Sequence, residues 1–173
     1  KVGLDQRPWA GGGAAGGGDG VGSEGTKGGG GGRGVVNPKL TCGQCQYCIA
    51  GDDELCIAPG MVGSTQNGSY AEYVTIPAAN AVRIPETISY EEAASLPTVF
   101  MPSWNILVRR AALKPWETVL VLSASSGVGT AAIRVAKNVI GARVIATTSS
   151  PEKASKAREL GADEVIDYST EDI

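Results

Sequence analysis

The sequence predicts an α/β protein: a doubly wound, parallel-stranded C-terminal part, preceded by a mostly β part that carries a four-cysteine lobe. Three observations lead to this prediction. Residues 118–166 alternate between strand-like and helix-like apolar periodicity. Short β-rich runs within residues 68–85 are punctuated by Pro77 and Pro85. All four cysteines stand in one stretch, CGQCQYCIAGDDELC, from Cys42 to Cys56.

The composition excludes several classes of partner. The chain has 173 residues, 19% of them charged, with a net charge of −3, so no basic face for a nucleic acid is expected. No apolar run reaches the roughly 18 residues that a membrane span needs. Residues 1–30 also lack the hydrophobic stretch of a signal peptide. We therefore expect a cytoplasmic protein without a nucleic-acid or membrane partner.

The C-terminal third is predicted to form a β-α-β-α-β run, which implies parallel strands joined by right-handed crossovers. Its first strand is apolar almost throughout, as buried parallel strands are. Ser150 and Pro151 are typical of a helix start, and Gly161 of a helix end. The predicted strands are Thr118–Leu122, Arg143–Thr147 and Glu164–Ile166. The helix Gly127–Ile140 is expected to turn five side chains toward the sheet: Val128, Ala132, Val135, Ala136 and Val139.

Two further helices are expected before this run. Ser89, with acidic residues after it, is a capping-box-like start. Met101–Leu113 is amphipathic, with Trp104, Leu107 and Val108 on one side.

The cysteine spacing, C-x2-C-x2-C-x7-C, favours a structural metal site. Disulfides are rare in a reducing cytosol, where four thiols more often bind metal. Four thiolates around one tetrahedral Zn²⁺ leave no open coordination position, so such a site holds structure and does no chemistry. The expected ligands are Cys42, Cys45, Cys48 and Cys56. An iron–sulfur cluster fits less well, because the last gap is seven residues and no proline follows. Disulfides or unliganded thiols are the other alternative.

The turn before the first helix of the C-terminal run, SASSGVG, has the position of a dinucleotide-binding loop. Aligned with the pattern G-x-G-x-x-G, the chain offers Ala124, Ser126 and Gly129, so only the last glycine is present. An ordinary strand-to-helix turn is therefore the alternative. Small residues still let the backbone amides and the helix N-terminus face a phosphate. The expected cofactor-binding residues of this turn are Ser125, Ser126, Gly127, Val128 and Gly129.

The tip of the second strand, ATTSSPEK, indicates which dinucleotide binds. NAD-binding sites place an acidic residue there for the ribose 2′-hydroxyl, but this chain has Thr148. Hydroxyls and one ammonium could instead receive a 2′-phosphate, from Thr148, Ser149, Ser150 and Lys153. We therefore expect NADP(H), with NAD(H) as the alternative. The alternative roles are structural: Ser150 would only cap the helix, and Lys153 would only lie on its solvated face.

The four-cysteine lobe is followed by GSYAEYVTIP, LPTVFMPSWNIL, ETVLVLSASSGVG and ELGADEVIDY. In this order the motifs resemble the medium-chain dehydrogenase/reductase family, in its branch of alcohol-dehydrogenase-like and quinone-oxidoreductase-like enzymes that keep a structural zinc lobe. The resemblance covers residues 35–173. It implies a GroES-like, mostly β barrel domain in residues 1–100, with the lobe at about 40–60. Residues 101–173 would be the first half of a Rossmann-type domain, the chain being a fragment of a longer enzyme.

The resemblance further implies an oxidoreductase that transfers hydride to or from a carbonyl, quinone or activated alkene. Its small-molecule substrate would be a carbonyl compound, an alcohol or a quinone, and the enzyme would be a homodimer or homotetramer. Relatives with catalytic zinc carry histidine in a Gly-His-Glu stretch. This chain has no histidine and nothing ligand-like in Thr98–Ser103, so we expect no catalytic zinc and assign no catalytic residue. The alternatives are a zinc-dependent alcohol dehydrogenase with ligands outside these residues, or a non-catalytic zinc-stapled interaction module.

Three lesser expectations remain. The resemblance implies an aromatic side chain near the cofactor cleft at Trp104, although core packing is favoured for it, and places Tyr168 near the adenine. The glycine-rich segment Gly11–Gly34 is typical of a flexible linker. Similar enzymes have β-strands there, so this segment is either a flexible variant or a stretch whose recorded side chains differ from the native ones.

Overall fold

The computed structural model describes residues 13–18 and 32–170. The chain divides into two compact units, Lys1–Pro97 and Thr98–Ile173, and each is described by itself. No helix within the described ranges is both long enough and apolar enough to cross a membrane.

The first unit contains two small antiparallel sheets. Its strands are β1 (Ala15–Gly17), β2 (Arg33–Val36), β3 (Lys39–Leu40), β4 (Gly60–Met61) and β5 (Ala81–Arg83). The larger sheet has the order β1-β2-β5, and β3 pairs with β4. Val35 of the central strand lies opposite Ala15 on one side and Val82 on the other.

Two parts of the glycine-rich segment are strands, which corrects the expectation of a flexible linker at these positions. Gly16 and Gly17 lie in β1, and Gly34 lies in β2. The ladder bonds join backbone groups, so they form without any help from side chains. Residues 11, 12 and 19–31 of this segment lie outside the described residues.

Two short helices complete the described part of the first unit: α1 (Gln46–Ala50) and α2 (Tyr90–Ser95). Single 3₁₀ turns occur at Asp53–Leu55 and Ala78–Asn80. The capping box predicted at Ser89 is confirmed. Its Oγ accepts a hydrogen bond from the amide of Glu92 at 3.1 Å, and its amide donates to Glu92 Oε2 at 2.9 Å. The amide of Ser89 thereby holds the pKa of Glu92 below its ordinary value.

The second unit is the predicted β-α-β-α-β run. It begins with α3 (Pro97–Trp104), which continues as a π-helical turn at Asn105–Arg110. There follow β6 (Thr118–Val121), α4 (Gly127–Arg134) with a π-helical turn at Val135–Ile140, β7 (Arg143–Thr148), α5 (Pro151–Glu159) and β8 (Glu164–Asp167). The three strands are parallel, in the order β6-β7-β8, with Leu120 beside Ile145 and Ile145 beside Glu164. This Rossmann-type sheet confirms the predicted fold class.

The core of this unit lies between the sheet and its helices. Its fully buried side chains include Ile133 of α4 and Val144 of β7, with Ala157 of α5 only 2% exposed. Two of the five residues predicted to face the sheet do not: Val128 is 39% exposed and Val139 is 60% exposed. Val139 lies in the π-helical turn, where the wider turn breaks the 3.6-residue period on which the prediction was based.

The opposite face of the sheet is open among the described residues. Leu120 and Leu122 are 49% and 64% exposed, so the strand that was predicted to be buried is covered on one face alone among the described residues. The residues that alternate with them face the core: Val121 belongs to it, and Val119 packs against it. Trp104 is 46% exposed, so the core packing favoured for it is also wrong.

Candidate metal centre and nucleotide-binding turn

The structure brings the four cysteine side chains together. Their Sγ atoms all lie within 4.8 Å of one another, and they form the one such group of potential metal ligands in the described part of the chain. The Sγ of Cys48 is 3.5 Å from that of Cys45 and 3.9 Å from that of Cys42. These separations are well above the ~2.05 Å of a disulfide bond, and all four thiols are unbridged.

Two left-handed glycines allow the chain to turn back on itself around this cluster. Gly43 has a φ of 71° and Gly51 a φ of 79°, conformations that other residues rarely adopt. Between them Cys45 occupies the N-cap position of α1 without a capping hydrogen bond, and Cys48 lies inside the helix. Cys56, the buried member of the cluster, follows the 3₁₀ turn after Gly51.

Backbone amides face part of the cluster and favour the thiolate form. Amide hydrogen bonds from Cys48 and Ile57 lower the pKa of Cys45 to about 6. The amide of Cys42 donates to Cys56 Sγ at 3.3 Å and lowers the pKa of Cys56. Burial, followed by the hydrogen bond with Cys45, raises the pKa of Cys48 to about 12. Lowered pKa values at Cys45 and Cys56 favour their thiolate forms, which are the forms that bind a divalent cation such as Zn²⁺.

The second site is the turn from β6 to α4. Ser123, two residues after the end of β6, has a φ of 55°, and its amide donates to Thr147 Oγ1 at 3.3 Å. The amide of Ala124 donates to the carbonyl of Thr147 at 3.0 Å, which ties the turn to β7. Ser126 caps the helix, because its Oγ accepts a hydrogen bond from the amide of Gly129 at 3.0 Å.

Gly129 is required at its position by close packing. A Cβ built on it would lie 2.4 Å from the carbonyl oxygen of Ser123 and 3.0 Å from Ser126 Oγ. The backbone amides of Ser125, Gly127 and Val128 have no acceptor within residues 13–18 and 32–170. They belong to the first turn of α4 or directly precede it, where a helix has unpaired amides and positive potential for an anion.

At the tip of β7, the four predicted residues differ in accessibility. Thr148 is 2% exposed, and its hydroxyl donates to the carbonyl of Ser150 at 3.3 Å. Ser150 Oγ accepts from the amide of Lys153 at 3.4 Å, so it caps α5. Ser149 is half-buried, and Lys153 Nζ donates to its Oγ at 3.3 Å. Ser149 and Lys153 thus present an outward hydroxyl–ammonium pair, whereas the Thr148 hydroxyl is turned inward.

The sequence interpretation missed three residues that support the turn: Val99, Ser103 and Thr147. Ser103 is 1% exposed and Thr147 is 2% exposed. No local motif identifies them, because their contacts are made across elements. Tyr168, by contrast, stands at the end of β8 with its amide bonded to the carbonyl of Thr148 at 3.1 Å, and it is half exposed.

Two family descriptions match the chain. The alcohol dehydrogenase GroES-like domain matches residues 8–86, and the zinc-binding dehydrogenase family matches residues 127–173. The two ranges together cover well over half of the sequence.

Individual proteins agree with these matches. An NAD-dependent alcohol dehydrogenase of Sulfurisphaera tokodaii is 38% identical over 138 residues, which are 80% of this chain and 40% of that protein. A crystal structure of an NAD-dependent alcohol dehydrogenase superposes with a TM-score of 0.91 at 41% identity, covering 98% of this chain and 49% of the other. The crystal structure of a quinone oxidoreductase of Pseudomonas syringae pv. Tomato DC3000 superposes with a TM-score of 0.73 at 34% identity. The match covers 95% of this chain and 42% of the other. The chain thus spans about 40% of the length of the curated relative, and less than half of each solved structure.

Proposed function

Because the chain belongs to the medium-chain dehydrogenase/reductase family, we propose that it is part of a nicotinamide-dependent oxidoreductase that transfers hydride to or from a small carbonyl compound, quinone or activated alkene. In this proposal residues 1–100 contribute a catalytic domain, and residues 101–173 contribute the first half of the nucleotide-binding domain. The observation that carries the proposal is the β6–α4 turn, with its free amides and its glycine at 129. The cofactor supplies the hydride chemistry, and the protein binds and orients it.

We assign the pyrophosphate of the cofactor to this turn. The amides of Ser125, Gly127 and Val128 would donate hydrogen bonds to phosphate oxygens, and the N-terminus of α4 would add favourable potential. Ser126 and Gly129 hold the turn in shape through their mutual hydrogen bond. Tyr168, half exposed beyond β8, would lie beside the adenosine end of the cofactor.

For cofactor choice we propose NADP(H), with NAD(H) as the alternative that the name of the Sulfurisphaera relative favours. No carboxylate stands at position 148 to hold a 2′-hydroxyl or repel a 2′-phosphate. Ser149 and Lys153 form the outward pair that would bind the 2′-phosphate. Thr148 is neutral and so does not repel that phosphate, and Ser150 caps α5, the helix that carries Lys153. A charge-assisted contact between Lys153 and the 2′-phosphate, worth ~1.5–3 kcal/mol, corresponds to roughly a ten- to hundredfold preference for NADPH over NADH. This preference is smaller if the Lys153 ammonium stays in solvent.

Fluorescence titrations with NADPH and NADH test this choice. Lys153→Ala should reduce the NADPH preference by about tenfold. Lys156→Ala removes the same charge from the exposed side of α5 and should leave the preference unchanged. Equal or tighter binding of NADH by the wild type would contradict the NADP proposal. A chain that binds neither dinucleotide would favour the non-catalytic interaction module instead.

We further propose that the four cysteines hold one structural Zn²⁺ and that the enzyme has no catalytic zinc. The cluster of four Sγ atoms within 4.8 Å fits a tetrahedral thiolate site. Neither histidine nor any Cys, Asp or Glu occurs in residues 98–103, where ligands would be expected. Hydrogen bonds would then polarise the substrate oxygen, so reduction of a quinone or enone fits better than alcohol oxidation.

Elemental analysis tests both metal proposals, with one zinc per chain as the expected result. Two zinc atoms per chain, together with alcohol oxidation that depends on the second, would favour a zinc-dependent alcohol dehydrogenase. Iron in place of zinc would overturn the metal assignment.

The remaining proposals concern assembly and location. We propose a homodimer or homotetramer that pairs through a sheet edge of the nucleotide-binding domain, and light scattering that reports a monomer would contradict it. The four unbridged thiols fit a reducing compartment such as the cytoplasm.

A further inference from the structure

Helix α3 makes two direct contacts with the start of α4. Ser103 Oγ donates to the carbonyl of Val128 at 3.1 Å. One helical turn earlier, Val99 lies so close to Gly127 that a Cβ built on that glycine would be 2.7 Å from Val99 Cγ1. Val99 and Ser103 are four residues apart, so they lie on one face of α3.

The hydrogen bond to Val128 is more than local helix chemistry. A serine inside a helix ordinarily donates to the carbonyl four residues earlier, and Ser103 does so to Val99 at 2.8 Å. The bond to Val128 is additional and joins two helices that are 25 residues apart in sequence. A serine hydroxyl has one proton, so the two carbonyls share it. Ser103 is 1% exposed, so its hydroxyl has almost no access to solvent.

The hydrogen bond from Ser103 acts on the first turn of α4, because Val128 lies in that turn. Val128 and Gly127 carry two of the three amides that would face the pyrophosphate, and Ser103 holds the carbonyl of the same first turn. Amide–phosphate bonds depend on distances of about 3 Å and on direction, so a small rotation of this turn weakens several of them together. We infer that Ser103 is a positioning residue for the cofactor's pyrophosphate, with Val99 as the apolar contact beside it. This inference rests on the proposed function.

The test compares a ligand that has a diphosphate with one that lacks it. Affinities of the full chain for ADP and for adenosine are measured by ligand-detected NMR, in the wild type and in Ser103→Ala. If Ser103 positions the turn, ADP should bind about three- to tenfold more weakly to the variant, which corresponds to the loss of one hydrogen bond. Adenosine affinity should change by less than about twofold, since its contacts do not involve the first turn of α4.

Two further variants make the result decisive. Ser155→Ala removes the same atom from an exposed position on α5 and should leave both affinities unchanged. Ser103→Cys fills nearly the same space with a weak donor, so it should reproduce the selective loss of ADP affinity even if Ser103→Ala does not fold.

Each remaining outcome would overturn a stated part of the inference. Equal losses for ADP and adenosine in the Ser103 variants would mean a general structural role. Unchanged ADP binding would mean that the bond to Val128 does not position the turn. A wild type that binds neither ligand would overturn the proposed function, and this inference with it.

Discussion

The cysteine lobe, residues 42–56, and the parallel unit around β6, β7 and β8 are ordered in different ways. Within the lobe Cys56 is the one buried residue, while Ile49 and Leu55 are 76% and 48% exposed. Its helix α1 has five residues and no buried side chain. The parallel unit has a continuous apolar core with Ile133 and Val144 fully buried.

This difference shows which kind of interaction each region depends on. Full burial of a Val or Ile side chain contributes ~1.5–3 kcal/mol. The described part of the parallel unit buries four such side chains: Val121, Ile133, Val135 and Val144. The lobe has almost none, so four sulfur atoms and the ion they can bind must supply what burial supplies elsewhere. Disruption should therefore be all-or-none in the lobe and graded in the parallel unit.

Removal of metal should have the largest effect and should be confined to the lobe. With zinc stripped by a chelator, or with Cys45→Ser, amides of residues 42–56 should lose hydrogen-exchange protection, because apparent binding energies on the order of 10 kcal/mol are available from such sites. Amides of β7 should stay protected, which serves as the internal control. Equal protection of the lobe with and without metal would contradict its dependence on the ion.

In the parallel unit, Ile133→Ala should destabilise folding by about 3 kcal/mol, because it leaves a cavity at a fully buried position. Val139→Ala, six residues later and 60% exposed, should change the free energy of unfolding by less than about 0.5 kcal/mol. Urea unfolding measures both. A comparable loss from Val139→Ala would mean that this residue faces the sheet, as the 3.6-residue period had predicted.

Gly129→Ala should cost about 2–3 kcal/mol and also weaken cofactor binding, since its Cβ would collide with the Ser123 carbonyl and displace the turn. Gly16→Ala in β1 is the matched control, because a Cβ there meets nothing within 4 Å. Thermal unfolding and NADPH titration measure the two effects. A Gly129→Ala chain with normal stability and binding would show that the turn can relax around the added methyl.

The smallest expected effect concerns Asp163, which accepts hydrogen bonds from Lys137 Nζ at 2.6 Å and from the amide of Val144 at 2.8 Å. These two bonds, with Lys137 the stronger cause, lower the pKa of Asp163. A carboxylate with a lowered folded-state pKa stabilises the fold above its unfolded pKa near 4, and this contribution disappears as pH falls through the folded value. Asp163→Asn should therefore cost about 1 kcal/mol or less at neutral pH and flatten the acid limb of the stability curve.

Lys137→Gln provides the companion measurement for that ion pair. It retains the bond from the Val144 amide, so part of the acid dependence should survive. An acid limb that is identical in the wild type and in Asp163→Asn would assign the dependence to other carboxylates.

Local chemistry made much of this structure predictable. Ser89 and Ser150 cap their helices as expected, because a cap needs only a residue three positions away. Ala154 and Ala157 are buried on one face of α5, because this helix keeps a regular 3.6-residue period. The convergence of four cysteines also follows from short spacing and two turns at glycine.

The sequence by itself determined the order of strands and helices in the parallel unit, the fold class and the cysteine cluster, because each shows in patterns of residues that are close together in the chain. Only the tertiary structure decided that the helix after α4 widens into a π-helical turn and exposes Val139, and that Thr148 is buried at the tip of β7. It alone decided that Ser103 reaches the carbonyl of Val128. The physical reason is that these features depend on contacts between elements about 25 residues apart or on crowding at a packed face, and a local pattern contains no information about either.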